Sequence, residues 1–331
     1  MNTEIQFPET LVEAVKYFGE GDNAFTFMVG LRWPQGVKCP QCGSDRVGFI
    51  ATRKIWQCKC CTVKKQFTIK TGTIFEDSAL SLEKWLAAIW LIANAKNGIS
   101  SYEIHRSIGV TQKTAWFMLQ RIRLAMQTGS FEKMKGIVEV DETFIGAKAR
   151  NMHADKKREK GIGTGGVSLT PVMGLLERTT GEQASRVKLK HVKTRKRKEL
   201  SAEVREHVEK GAEVHTDSFR SYCGLEDGYV HKVVDHAIAY VEGNVHTNGL
   251  ENFWSLLKRT IKGTYVNVEP FHLFRYLDEQ AFRFNERKDN DAGRFIKAVH
   301  GVIGKGLTYL ELTEGKGGDG LPRSPEAWQA V

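Results

Sequence analysis

The stretch IVEVDETFIG, residues 137–146, decides the fold. Ile137, Val138 and Val140 are β-branched, which favours a strand, and Asp141 stands where that apolar run ends. A second stretch repeats the arrangement, AEVHTD at 212–217, with Asp217 closing it. Acids at strand ends project into the cleft at a sheet's edge, where ligands bind. Between the two lie strand candidates TPVMGLLER (170–178) and QASRVKLKHV (183–192), parted by a turn at Thr180–Gly181, then a charged helix from Thr194 to Lys210. A strand from His231 to His236 and helices near 247–262 and 270–287 follow. Three strands, a helix, a strand and further helices describe an α/β domain with a mixed sheet, spanning 136–312. The basic, glycine-rich stretch from Ala147 to Gly166 reads as a loop, and 313–331 as a disordered tail.

Upstream of a boundary at Gly129–Gly136 the patterns change. Residues 1–35 hold a short helix from Thr10 to Phe18. Residues 36–75 are rich in Lys, Cys and β-branched residues, as short hairpins around a metal would be. From 76 to 130 the pattern is helical: Leu82, Trp85, Leu86, Ile89 and Ile92 recur at three- and four-residue steps behind an N-cap at Ser81.

Five of the six cysteines fall between Cys39 and Cys61. Cys39-Pro-Gln-Cys42 and Cys58-Lys-Cys60-Cys61 make two knuckles with fifteen residues between Cys42 and Cys58, the spacing of a zinc ribbon. Tetrahedral Zn2+ takes four thiolates, and a two-residue gap lets one turn present two of them. Cys39, Cys42, Cys58 and Cys61 are the expected ligands. Cys60 is the odd one out, and iron is the competing metal.

The chain has 331 residues, enough for two or three domains, and a formal net charge of +10. That excess suits a polyanionic partner, because neutralised phosphates release counterions. The longest apolar run, Leu86–Ala93, is far below the roughly 20 residues of a membrane span. MNTEIQFPET has neither the basic start nor the apolar run of a secretory signal, so a reducing, cytoplasmic setting is expected, where clustered cysteines favour metal over disulfides.

Residues 98–126 have the shape of two helices around a turn at Ile108-Gly109-Val110, with Thr111 capping the second. In a helix-turn-helix, Gln112, Lys113 and Thr114 would begin the recognition helix and reach base edges; an ordinary helical pair is the alternative. The run from Lys188 to Lys198, including Arg195, Lys196, Arg197 and Lys198, offers DNA-backbone contacts or a solvated helix start.

Glu251 opens the apolar helical stretch NGLENFWSLLKR, 248–259. Three carboxylates brought together repel unless cations neutralise them, and hard oxygen ligands select Mg2+ or Mn2+. Glu142 and Asp235 rival the chosen acids, and Asp155 reads as solvated. Lys258 lies two turns after Glu251 and about 20° around the helix, on the same face, where it could grip a phosphate with Arg259 and Lys262 beside it. His215 and His246 could hydrogen-bond within the site. Phe271, Leu273, Phe274, Leu277, Phe282 and Phe284 read as helix core, and Cys223 as an incidental thiol.

CPQCGS, TGTIFEDSALSLEKW, VEVDETFIG, HTDSFRSY and HTNGLENFWSLLKRTIKGTY occur in that order from about Phe7 to Lys288. Together they resemble bacterial insertion-sequence transposases of the ISXO type, insertion sequence family 1595. In that family a zinc ribbon precedes a DDE domain with an RNase H-like fold. The resemblance implies that Asp141 and Asp217 are the first two catalytic acids, Glu251 the third and Lys258 the lysine that follows it. It implies hydrolysis at the transposon end that frees a 3′-hydroxyl, attack of that hydroxyl on target DNA, two catalytic Mg2+ or Mn2+, and at least a dimer on double-stranded DNA. A non-catalytic zinc-ribbon regulator and an RNase H-like nuclease without strand transfer are the competing functions.

Overall fold

A computed structural model describes residues 7–127, 132–146, 155, 169–179, 181, 184–192, 196–217, 222, 224–234, 245–266 and 268–313. Arg195, Cys223, Asp235, residues 314–331 and nearly all of the 147–166 loop lie outside them. The chain forms two compact units, one of residues 1–127 with 289–331, the other of residues 128–288.

In the first unit, helix α1 (Leu11–Gly19) starts at a capping box: Thr10 accepts the Glu13 N–H, and Glu13 accepts from the Thr10 backbone. Helix α2 (Asn23–Arg32) follows. A three-stranded antiparallel ribbon comes next, β1 (Val47–Ile50), β2 (Ile55–Cys58) and β3 (Gln66–Phe67). Trp56 stacks between Phe25 of α2 at 5.6 Å and Phe67 at 5.8 Å, so an aromatic sandwich fastens the ribbon to the helix.

Helices α3 (Leu82–Asn94), α4 (Ser101–Ile108) and α5 (Gln112–Met126) complete its N-terminal part. Ser81 occupies the α3 N-cap without a side-chain bond, whereas Ser100 and Thr111 both cap through their hydroxyls. Gly109 turns the chain between α4 and α5 at φ +63°, a conformation glycine reaches without steric cost.

The stretch after 288, expected to end the catalytic domain, instead belongs to this first unit. Helix α9 (Asp291–His300) buries Phe295 4.9 Å from Trp90 of α3, and Arg121 of α5 ties the Ile74, Glu76 and Leu307 carbonyls together.

The second unit is a five-stranded mixed sheet: β4 (Ile137–Ile145), β5 (Thr170–Glu177), β6 (Arg186–His191), β7 (Glu213–Asp217) and β8 (Val230–Val234), in the order β6-β5-β4-β7-β8. β5 runs antiparallel to β4 and β6, while β4, β7 and β8 are mutually parallel. Alternation along the strands sends side chains to two faces. On one, Val138, Val140, Met173, Leu175 and Val214 pack with Leu200 and Val204 of α6 (Arg197–His207). On the other, Val172, Leu176 and Ile145 meet α7 (Asn248–Thr260) and α8 (Leu273–Asn285) through Leu250, Phe253, Trp254, Leu273 and Leu277. Of the aromatics expected in the α8 core, Phe282 is buried, while Phe271, Phe274 and Phe284 are partly so.

Candidate active site and metal centre

Asp141 does not end its strand, as the reading of IVEV expected. β4 runs on to Ile145 against β5, and it is the parallel pairing with β7 that stops at Val140↔Thr216. Asp141 and Asp217 are the next residues on each strand, so they share register on adjacent parallel strands. In-register side chains of neighbouring strands point to one face, here the α7 face, with about 4.8 Å between strands. Burial lifts the Asp141 carboxyl above the usual carboxylate range; the Trp254 and Glu142 N–H groups pull it down, and the charges of Asp217 and Glu251 push it further up. Glu251 lies exposed in the first turn of α7, with Lys258 exposed two turns on and Arg259 and Lys262 exposed beside it.

The three acids are spread more widely than a single-ion cage. Among the described residues, the groups of three or more potential ligands within 4.8 Å of one another are the four cysteines and the trio Glu203, Glu206 and His207. The trio is flanked by cations: Lys188 sits 3.1 Å from His207 Nδ1 and Lys190 3.7 Å from Glu203.

Three residues around the acids had no signal in the sequence reading. Trp254 Nε1 donates to Asp141 Oδ2 at 2.8 Å, and the indole reaches that point because Gly174, paired with Asp141 across β5, has no side chain. A Cβ on Gly174 would stand 2.6 Å from Trp254 Cη2. Tyr222 is buried on the opposite face and donates to Glu142, so Glu142 faces away from Asp141 and Asp217. Burial, then the Glu142 carboxylate, holds the Tyr222 phenol well above its ordinary range. Glu139, two residues before Asp141 on the same face, is buried against Arg178 and the start of α7. His246 bonds Arg178, and fully buried His215 bonds Glu213 at 2.6 Å.

The four expected cysteines converge. Cys39 Sγ is 3.7 Å from Cys61 Sγ, and Cys42 Sγ 3.6 Å from Cys58 Sγ. A tetrahedron with Zn–S of about 2.3 Å has an edge of about 3.8 Å, so the sulfurs fit zinc, and they are far beyond disulfide distance. Burial and the neighbouring sulfurs act unequally on the thiols: at Cys61 the Cys42 thiol, then burial, pushes the group well up. Burial pushes Cys39 up. At Cys58 the pull of the Cys60 and Cys61 N–H groups and the Cys42 thiol outweighs burial and takes the thiol down to about 6. Four adjacent thiolates thus need a cation to coexist. Cys60 points elsewhere, 3.2 Å from the Ser44 hydroxyl.

The residues expected to read DNA bases are engaged inside the first unit. Gln112 donates to Ser101 Oγ at 2.8 Å, Thr114 Oγ1 meets Thr111 Oγ1 at 2.8 Å, and the Lys113 ammonium lies over the Tyr309 ring of α10 (Tyr309–Thr313). From Met118 to Met126 every residue of α5 is buried, which makes it a core helix along most of its length. In the basic run, Lys196, Arg197 and Lys198 are exposed, and Arg197 lies over Gly224. Asp155 is exposed, as a solvated acid would be.

A four-cysteine ribbon in one unit defines a metal-binding protein, and the other unit is a mixed sheet with Asp141 and Asp217 in register on adjacent parallel strands. Residues 133–285 match the ISXO2-like transposase domain, and residues 20–64 match the transposase zinc-ribbon domain. The chain belongs to the ISXO2-like transposase family. It is 29% identical over 260 residues to an "uncharacterized protein in transposable element ISH50" of Halobacterium salinarum, covering 74% of this chain and 84% of that one. It is 34% identical over 83 residues to an "uncharacterized transposase-like protein" of Haemophilus influenzae, 25% of this chain and 67% of the relative. Among the described residues no helix is long and apolar enough to cross a membrane.

Proposed function

We propose that the second unit is an RNase H-like DDE domain and that the chain is the transposase of an insertion sequence. It binds the terminal inverted repeats, cuts DNA there and transfers the freed 3′-hydroxyl into target DNA. What supports this reading is the placement of acids distant in sequence: Asp141 and Asp217 in register on parallel neighbours, and Glu251 in the first turn of α7, the helix whose Trp254 bonds Asp141. The strand order supports the fold assignment. Counted from the unit's own first strand it is 3-2-1-4-5, with the second strand alone antiparallel to the rest.

Asp141, Asp217 and Glu251 would hold two Mg2+ or Mn2+. Such ions, when bound, would supply the charge that favours an attacking oxygen and a leaving oxygen in phosphoryl transfer. The protein's part is positioning: the Trp254 N–H fixes one Asp141 oxygen and the Glu142 backbone N–H the other, so the carboxylate is held in one orientation. Lys258, on the Glu251 face of α7, grips the phosphate beside the acids.

Exposed Lys196, Lys198, Arg259 and Lys262, with Arg197 and Arg195 beside the first two, extend phosphate contacts along the DNA. Lys113 joins them on release from Tyr309, and Gln112 and Thr114 reach bases only on release from Ser101 and Thr111. Joining two DNA ends requires at least two copies of the chain.

The test is a Mg2+- or Mn2+-dependent nicking and joining assay on DNA carrying the element's terminal repeats. Wild type nicks and joins, while Asp141→Asn binds the DNA and does neither. Binding without cleavage by wild type would overturn the reading, and cleavage with no joined product would replace it with a nuclease.

A further inference from the structure

We propose that Glu139 is a positioning residue that clamps helix α7 to strand β4 and thereby sets where Glu251 stands relative to Asp141. The inference rests on the metal-site reading above and names the device that assembles it.

The start of a helix leaves backbone N–H groups without partners inside the helix. Thr247, at the α7 N-cap, makes no side-chain capping bond. The Leu250 N–H is instead taken by Glu139 Oε2 at 2.9 Å, from a strand 111 residues earlier in the chain. The carboxylate is 1% exposed, and its other oxygen accepts from Arg178 Nε at 2.7 Å. Arg178 in turn donates through Nη2 to the His246 backbone carbonyl and to His246 Nδ1, each at 2.7 Å. Arg178 thus fastens the chain just before α7, and Glu139 fastens the helix's first turn. A negative charge at this end also suits the helix dipole.

The fit is close. A Cβ on Gly249 would stand 2.8 Å from Glu139 Oε2, so the carboxylate reaches the helix start only because residue 249 lacks one. Glu139 and Asp141 share a face of β4, and Glu251 directly follows Leu250. One bond therefore fixes the spacing between a strand-borne acid and the helix-borne acid. A hydrophobic contact could hold α7 against the sheet and still let it slide or turn; a buried carboxylate bonded to one particular N–H does not.

The test uses full-length Glu139→Asp, which keeps the charge for Arg178 but shortens the reach to Leu250, and Gly249→Ala, which keeps Glu139 but displaces it. In each, Mn2+ binding is titrated directly by electron paramagnetic resonance, with the single-turnover nicking rate followed beside it, alongside wild type and Asp141→Asn. The expected result is a rise of about 10- to 100-fold in half-saturating Mn2+, as outer groups that orient ligands produce. High Mn2+ should restore the rate in both variants and not in Asp141→Asn. A purely structural role would lower the melting temperature and leave half-saturating Mn2+ where it was. Half-saturating Mn2+ within twofold of wild type in either folded variant overturns the inference. Failure of wild type to respond to Mn2+ at all overturns the metal-site reading instead, and the two failures are distinguishable in one experiment.

Discussion

Gly174→Ala should injure the second unit in a way that reports on the candidate site. Gly174 sits opposite Asp141 in the β4–β5 pairing, and the added methyl would lie 2.6 and 2.7 Å from Trp254 Cη2 and Cζ2 and 2.9 Å from Leu250 Cδ2. None of these is the far end of a flexible chain: the indole edge is buried and bonded to Asp141 through Nε1. Overpacking of this kind costs about 1–3 kcal/mol. Pulling the indole away also strains a hydrogen bond to a charged group, a bond worth about 1.5–3 kcal/mol. A combined loss of roughly 2–4 kcal/mol allows for partial relaxation, and in a unit of this size it lowers Tm by roughly 4–16 °C.

The measurement is urea or thermal denaturation of Gly174→Ala, Trp254→Phe and the double variant. Phenylalanine lacks the ring atoms the methyl would strike, so the two changes should couple, with the double variant at least about 1 kcal/mol more stable than additivity implies. A cost below about 0.5 kcal/mol for Gly174→Ala would refute the reasoning, as would additivity within about 0.5 kcal/mol.

Two further outcomes follow from the metal centres. Purified protein should carry one zinc per chain, lost in Cys42→Ser and kept in Cys60→Ser, because Cys60 is turned toward Ser44; metal analysis of both variants checks this. In buffer without divalent ions, Asp141→Asn should raise stability at pH 7. Its folded carboxyl lies above the unfolded value, chiefly through burial, so ionising it costs stability above that range and nothing below the unfolded pKa. The gap between variant and wild type should therefore close as pH falls through the carboxylate range, which denaturation at several pH values will show.

Much of the architecture was legible because it is written locally. Thr10 before an apolar periodic run, and Thr111 behind Gly109, are cap signals that act within one turn. The cysteine spacing likewise dictates its own geometry. The features that escaped depend on partners remote in the chain. In IVEVD, Glu139 alternates with valines and so resembles a solvent-facing residue, yet α7 covers that face and supplies the Leu250 N–H. Asp141 looked like a strand terminus because polar residues follow it, whereas pairing with β5 carries the strand four residues further.

Helix α9 was invisible for a similar reason: the stripe carrying Phe295 is short, and its complement includes Trp90, some two hundred residues away. The second helix of the helix-turn-helix candidate was placed correctly. Its buried Gln120, Arg121 and Arg123, however, are polar groups that only tertiary packing could enclose.

The most direct measurement is a count of bound Mn2+ by electron paramagnetic resonance on zinc-loaded protein, compared with Asp141→Asn and Glu251→Gln. Two Mn2+ per wild-type chain, reduced in both variants while the zinc remains, is the expected result. No Mn2+ bound by wild type, or binding unchanged when Glu251 loses its charge, would contradict the convergence of these acids on a metal pair.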